Sequence, residues 1–319
     1  MKPCAPILVI AFNRPSCCKK VFDAIRFMKP GFVFFAVDGP RKNHPTDPIN
    51  CQKTRDLQHI IDWPCKIQTL FREDNRGCRN APPEAISWFF KHVDRGIILE
   101  DDCVPSQDFL IFVSELLERY ANTDDIGMIS GDNWYGYQTN RNESYHFTRY
   151  PYIWGWATWR RAWNLYDVSM TPYLKQLDSI RNSLGHSDKF RVFWWRFVDS
   201  VLRNPTTWDV QWAIALLANN KICIQPRCNL ISNIGFTPDS THTSYEYDAL
   251  FFLQTQPLEF PLVHPFSTII DERADIKKEK RYISLWRRGM TYIGAKGGSI
   301  GKQVASLFSR IEAVYHNLF

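Results

Sequence analysis

The stretch Gly96-Ile97-Ile98-Leu99-Glu100-Asp101-Asp102-Cys103 decides the reading of this chain. A short apolar run that stops at three carboxylates reads as a strand of a parallel sheet covered on both faces. In open α/β sheets ligands bind just beyond the carboxyl ends of strands, so Glu100, Asp101 and Asp102 fall where chemistry would sit. Three adjacent carboxylates repel one another unless a cation or a helix N-terminus neutralises them. Their hard oxygens favour Mg²⁺ or Mn²⁺, ions that also bind phosphate. The same residues also fit a solvated acidic turn between a strand and a helix.

Outward from this run, strands and helices alternate. Strands are expected over about 6–12, 32–37 and 66–72, with helices over about 16–28, 50–62 and 83–93 between them. A helix follows the acidic run, because Phe109, Phe112, Val113, Leu116, Leu117 and Tyr120 recur at helical spacing. A further strand covers 126–130. Repeated βαβ units with right-handed crossovers predict an α/β fold, Rossmann-like, with a mostly parallel sheet flanked by helices. Polar residues then collect at the strand ends: Asn13-Arg14, Asp38, residues 72–76, Glu100 to Asp102, and Asp132-Asn133. In a parallel sheet these ends share one edge. The second half is rich in aromatics over 150–163, with helices over about 187–202 and 207–218 and a strand over 221–225. The adjacent prolines at 82–83 and the Gly297-Gly298 pair read as breaks.

Composition bounds the class. In 319 residues, 45% are hydrophobic and 15% aromatic, enough for a large core and too apolar for extensive disorder. Nine cysteines without a CxxC pair, two of them adjacent, suit reduced thiols in a cytoplasmic protein rather than a disulfide framework or zinc site. The apolar run 7–12 is too short for a signal peptide, and no uncharged stretch has membrane-spanning length. The net charge of +6 is uneven: residues 277–310 hold nine Lys/Arg and one Glu, a local +8, leaving −2 elsewhere. That distribution leaves no broad basic face for nucleic acid. The basic stretch adjoins an amphipathic pattern over 300–318, which fits either peripheral contact with an anionic membrane or packing on protein.

The strand-end constellation resembles the GT-A nucleotide-sugar glycosyltransferases, similar to family 2 transferases and N-acetylglucosaminyltransferase I. Residues 7–15, Ile-Leu-Val-Ile-Ala-Phe-Asn-Arg-Pro, look like that family's opening strand and nucleotide-contacting turn. Residues 75–81, Asn-Arg-Gly-Cys-Arg-Asn-Ala, resemble a family 2 segment, and Glu100-Asp101-Asp102 is similar to the Glu-Asp-Asp form of the DXD metal motif. Gly155-Trp156 and Trp208-Asp209 look like the acceptor-side and catalytic-base segments, although position 210 is Val rather than a second acid.

The resemblance implies a GT-A domain over 1–270, with a nucleotide-sugar half to about 133 and an acceptor half beyond it, followed by a basic amphipathic tail over 271–319. It implies an inverting, metal-dependent transfer of a sugar from a UDP-sugar to a hydroxyl of a glycan or lipid-linked saccharide. Asp102 would hold Mn²⁺ or Mg²⁺, Asp101 the ribose and Glu100 the transferred sugar. Asn13, Arg14, Asp38 and Arg76 would contact the nucleotide. Asp209 would be the general base, with Asp132 in reserve; by itself Asp209 reads first as a helix cap. His242 would serve as a further metal ligand or touch the diphosphate, and otherwise is an exposed loop residue. Trp154 and Trp156 would stack on the acceptor or belong to the core. Two rival readings are a non-catalytic nucleotide-sugar or glycan-binding protein and a sugar-nucleotide nucleotidyltransferase. The latter lacks its glycine-rich loop after the first strand.

Overall fold

Residues 3–136, 142–235 and 254–296 are described in the computed structural model of the chain. The apolar runs form strands buried on both faces. β1 (Ile7–Ala11) is buried throughout and leads into α1 (Pro15–Ile25), whose first-turn proline supplies a helical φ where its missing N–H costs nothing. β2 (Phe32–Val37), α2 (Asp47–Arg55), β3 (Lys66–Phe71), α3 (Gly77–His92) and β4 (Arg95–Glu100) complete the alternating first part. A two-residue turn, Asp101-Asp102, joins β4 to the short β5 (Cys103–Pro105). α4 (Gln107–Arg119) follows, its first turn capped by Ser106 Oγ, which accepts from Phe109 N at 3.1 Å.

The second part contributes β6 (Ile126–Ser130), β7 (Tyr145–Thr148), β8 (Trp156–Trp159), α5 (Arg160–Trp163), α6 (Leu177–Ser183), α7 (Asp188–Arg203) and α8 (Asp209–Ala218). It ends with β9 (Ile222–Pro226), β10 (Ile231–Asn233) and α9 (Glu272–Lys296). Eight strands form one sheet in the order β3-β2-β1-β4-β8-β6-β9-β7, and β5 pairs with β10. The fold is α/β, with a large, mostly parallel mixed sheet flanked by helices, an architecture compatible with a Rossmann-like arrangement. Alternate residues of β1 and β2 serve opposite cores. Ile7, Val9, Val33 and Phe35 pack with α1 and α4, while Leu8, Ile10 and Phe34 pack with α3 and α8.

The structure corrects several sequence expectations. The sheet is mostly parallel as expected, but a strand the sequence reading lacked, β8 within the aromatic stretch, runs antiparallel between β4 and β6. Four residues are too few to show a strand period, so nothing in the sequence marked it. The break expected at the prolines is absent, since Pro82 and Pro83 lie inside α3, which starts at Gly77 rather than near 83. A carboxylate from elsewhere in the chain supports that start. Asp38 accepts from the backbone N–H of Arg76 at 2.9 Å and of Gly77 at 3.0 Å, and Gly77 itself takes φ +72°, a region natural to glycine.

The start of the expected tail is also part of the core. α9 buries Ala274, Asp275, Lys278 and Glu279. The Lys278 ammonium donates to Thr148 Oγ1 at 3.0 Å, lies 3.9 Å from Asp275 and faces the rings of Tyr135, Tyr150 and Tyr152. Glu279 accepts from Tyr150 and from the backbone N–H of His186. Lys278 is therefore withdrawn from any lipid surface, because its charge is spent inside the protein. The amphipathic pattern over 300–318 lies outside the described residues, among which no helix is long and apolar enough to cross a membrane.

Candidate active site

β1, β2 and β4 run parallel, so their carboxyl ends open on one side, where a cavity of about 380 Å³ lies. Asn13, Arg14, Asp38, Glu100, Asp101, Asp102, Trp154 and Asp209 all line it. Residues 13 and 209, almost two hundred positions apart, thus meet at one edge of the sheet.

The β4–β5 turn concentrates the negative charge. Arg14, at the N-cap of α1, sends Nη2 to both Asp101 Oδ1 and Asp102 Oδ2, the latter at 2.9 Å. Asp101 also accepts from Phe12 N at 3.3 Å. Burial works against the Arg14 charge, but the two carboxylates outweigh it and hold the guanidinium protonated well above its usual range. Burial and the neighbouring charges of Asp102, Asp101 and Asp209 push Glu100 upward. Asp101 is raised by burial, against the pull of Arg14. Asp209 is thus near enough to be felt at Glu100.

These carboxylate oxygens could contribute ligands to a divalent ion. Among the described residues no three His, Cys, Asp or Glu side chains form a ready cage. Mg²⁺-type ions commonly use one or two carboxylates and complete their shell with phosphate oxygens and water. Asp102 offers such a carboxylate to the cavity and is pinned from behind by the β10 end. There the Ile234 N–H donates to the Asp102 carbonyl at 2.8 Å, and Gly235 passes so close that an added Cβ would stand 2.0 Å from Asp102 Oδ2. A Gly235→Ala substitution is expected to displace this carboxylate at an overpacking cost of about 1–3 kcal/mol. Urea unfolding should show that loss, with an unchanged far-UV spectrum.

Asp38 lines the cavity, yet its oxygens are already engaged by the backbone N–H groups of Gly39, Arg76 and Gly77 and by the Asn75 amide. In the structure it builds the loop that starts α3. Arg76 contributes that N–H, while its guanidinium pairs with Glu84 at 2.9 Å and does not line the cavity. The sequence reading missed Arg41 and Asp47. Arg41 lines the cavity with its guanidinium over the Phe12 ring. The buried Asp47 carboxylate accepts from Arg41 Nε at 2.7 Å and Asn13 Nδ2 at 2.7 Å, and His44 Nδ1 lies 2.9 Å away. The Asp47-Pro48 pair at the start of α2 was the available signal, a first-turn acid followed by proline.

The Arg41 bond is the main cause that lowers Asp47 from 3.8 to about 2. A depressed carboxylate contributes stability above its unfolded pKa and loses it as pH falls through the folded one. Stability should therefore drop between about pH 4 and pH 2 more steeply in the wild type than in Asp47→Asn, measured by urea unfolding at each pH.

Asp209 is the first residue of α8, and no side chain caps that helix, so the capping role is not the one it plays. Trp156, Trp163, Trp208 and Trp212 form an aromatic block beneath it, with Trp156 and Trp208 stacked at 6.0 Å. Trp156 is fully buried there and does not line the cavity, whereas Trp154 does. Asp132 is buried away from the cavity, across β8, and burial pushes its carboxyl up to about 7. His242 lies outside the described residues. All nine cysteines are unpaired. The chain matches no protein-family model and no curated protein.

Proposed function

We propose that the protein is a GT-A-type, metal-dependent inverting glycosyltransferase that moves a sugar from a UDP-sugar to a hydroxyl of a glycan or lipid-linked saccharide. The observation that carries this reading is the meeting of Arg14, the Glu100–Asp102 carboxylates and Asp209 around one cavity at the carboxyl ends of parallel strands.

A Mn²⁺ or Mg²⁺ ion on Asp102 would neutralise charge developing on the departing diphosphate. Arg14 is placed to add a fixed positive charge to the same group. Asn13 and Arg41, tied together by Asp47, stand at the Phe12 side of the cavity, where a nucleobase and ribose fit. Asp209, at the start of α8, takes the proton of the acceptor hydroxyl. The acceptor oxygen attacks the anomeric carbon from the face opposite the diphosphate, whose bond to that carbon breaks, and the carbon is inverted. Trp154 offers a face for the acceptor sugar.

The test is a thermal-shift screen of nucleotide sugars with and without Mn²⁺, followed by a transfer assay on the donors that bind. At a hundredfold excess over Kd a ligand stabilises by about 2.7 kcal/mol. The expected result is a Mn²⁺-dependent shift with UDP compounds and sugar release to an acceptor. Shifts with CMP or GDP compounds alone would overturn the donor assignment, and binding without turnover would leave a binding protein.

A further inference from the structure

We infer that Arg14 is an internal counter-cation that competes with the divalent ion for Asp102, so that the ion binds together with the nucleoside diphosphate rather than ahead of it. This rests on the proposed function and specifies the order in which its ligands bind. One guanidinium nitrogen serves both carboxylates, but unequally. Asp101 has a second donor in Phe12 N and a side chain only 4% exposed, whereas the Asp102 side chain is 15% exposed and its Oδ2 is held by Arg14. Among the described residues, the other Asp102 oxygen accepts only from Cys103 Sγ, at 3.4 Å.

An ion held by Asp102 Oδ2 would share that oxygen with the Arg14 guanidinium, whose Nη2 lies 2.9 Å from it. Two like charges that close, in a partly buried site, oppose each other strongly. The carboxylate has little room to escape, because the Gly235 backbone presses on Oδ2 from the other side. Arg14 is therefore the group that yields. It lines the cavity with its side chain 25% exposed, and its Nε and Nη1 make no hydrogen bond among the described residues. A diphosphate is a better bidentate partner for that fork than a shared carboxylate edge. Drawn to the diphosphate, Arg14 releases Asp102 Oδ2 to the ion. Nucleotide and ion thereby strengthen each other's binding by one common factor.

The experiment measures Mn²⁺ binding by electron paramagnetic resonance with and without UDP, corrected for Mn²⁺ held by free UDP. It uses the full-length wild type, Arg14→Gln and Arg14→Lys, with thermal melts of each. In the wild type, UDP should tighten Mn²⁺ tenfold or more. Arg14→Gln should bind Mn²⁺ without UDP at least tenfold tighter than the wild type, and UDP should then tighten it by a smaller factor than in the wild type, the remainder being the ion's own bond to the diphosphate. Mn²⁺ alone should raise the Tm of Arg14→Gln but not of the wild type. Arg14→Lys, which keeps the charge, should retain most of the coupling. A wild-type Mn²⁺ affinity that UDP leaves unchanged overturns the inference without any variant, as does a folded Arg14→Gln that binds free Mn²⁺ no better than the wild type. Sugar transfer by a wild type that shows no coupling removes this inference alone; a wild type that binds neither Mn²⁺ nor UDP removes the proposed function with it.

Discussion

Asp209→Asn is expected to lower turnover by about 10²–10⁴-fold, the range that loss of a positioned general base produces. Binding of UDP and Mn²⁺ should persist, because the diphosphate and its ion are assigned to Arg14 and Asp102 rather than to Asp209. The amide keeps the shape of the side chain, and the aromatic block of Trp156, Trp163, Trp208 and Trp212 fixes the start of α8 whatever stands at 209. A turnover assay paired with UDP titration reads both quantities. Unchanged turnover would remove Asp209 from the chemistry. Joint loss of binding and turnover would assign it to the donor site, where its charge already reaches Glu100.

Asp275→Ala is expected to destabilise the fold by about 3–5 kcal/mol, the cost of leaving a buried charge without its partner. Asp275 is fully buried and accepts from Thr148 Oγ1 and from Arg149 Nε at 3.2 Å, with the Lys278 ammonium 3.9 Å away. Burial already pulls Lys278 down from 10.5 to about 8, against the opposing charge of Asp275. The sign follows from linkage. Between about pH 8 and pH 10.5 the unfolded chain holds the proton that the folded chain has released, so this group makes stability rise with pH. Removing Asp275 deepens the depression, so the deficit of the variant should shrink as pH rises toward about 8 and stay level from there to about pH 10.5. Urea unfolding at pH 7 and pH 9 checks both the size and the trend. A loss below about 1 kcal/mol would mean that the Asp275–Lys278 cluster does not hold α9 to the core.

The first half of the chain was legible because its strands are short apolar runs that stop at polar residues. The run 126–130 was read at the observed bounds of β6, and 32–37 at those of β2. The residues at those ends follow from position, and Asn13, Arg14, Asp38 and Glu100 to Asp102 do line the cavity. Illegible were the features that depend on partners distant in sequence. Trp154 and Trp156 flank one glycine and carry the same side chain, yet one lines the cavity and the other is fully buried under α8. The strand period at Trp156 sends it into the aromatic block, and nothing local announces a four-residue strand. Asp38 reads as a ligand contact at a strand end, but it is taken up by the backbone of a loop almost forty residues away.

By itself the sequence determined the alternation of strands and helices, the acidic turn after β4 and the edge at which polar residues gather. Hydrophobic periodicity and strand-end polarity are local properties of consecutive residues. Only the tertiary structure decided that α3 begins before two prolines, that β8 interrupts the parallel order, that Arg14 bridges Asp101 and Asp102, and that a lysine of the basic stretch is sealed among tyrosines. Each depends on where a charge or an unsatisfied N–H finds its partner, and those partners stand tens to more than a hundred residues away, where no local pattern reaches.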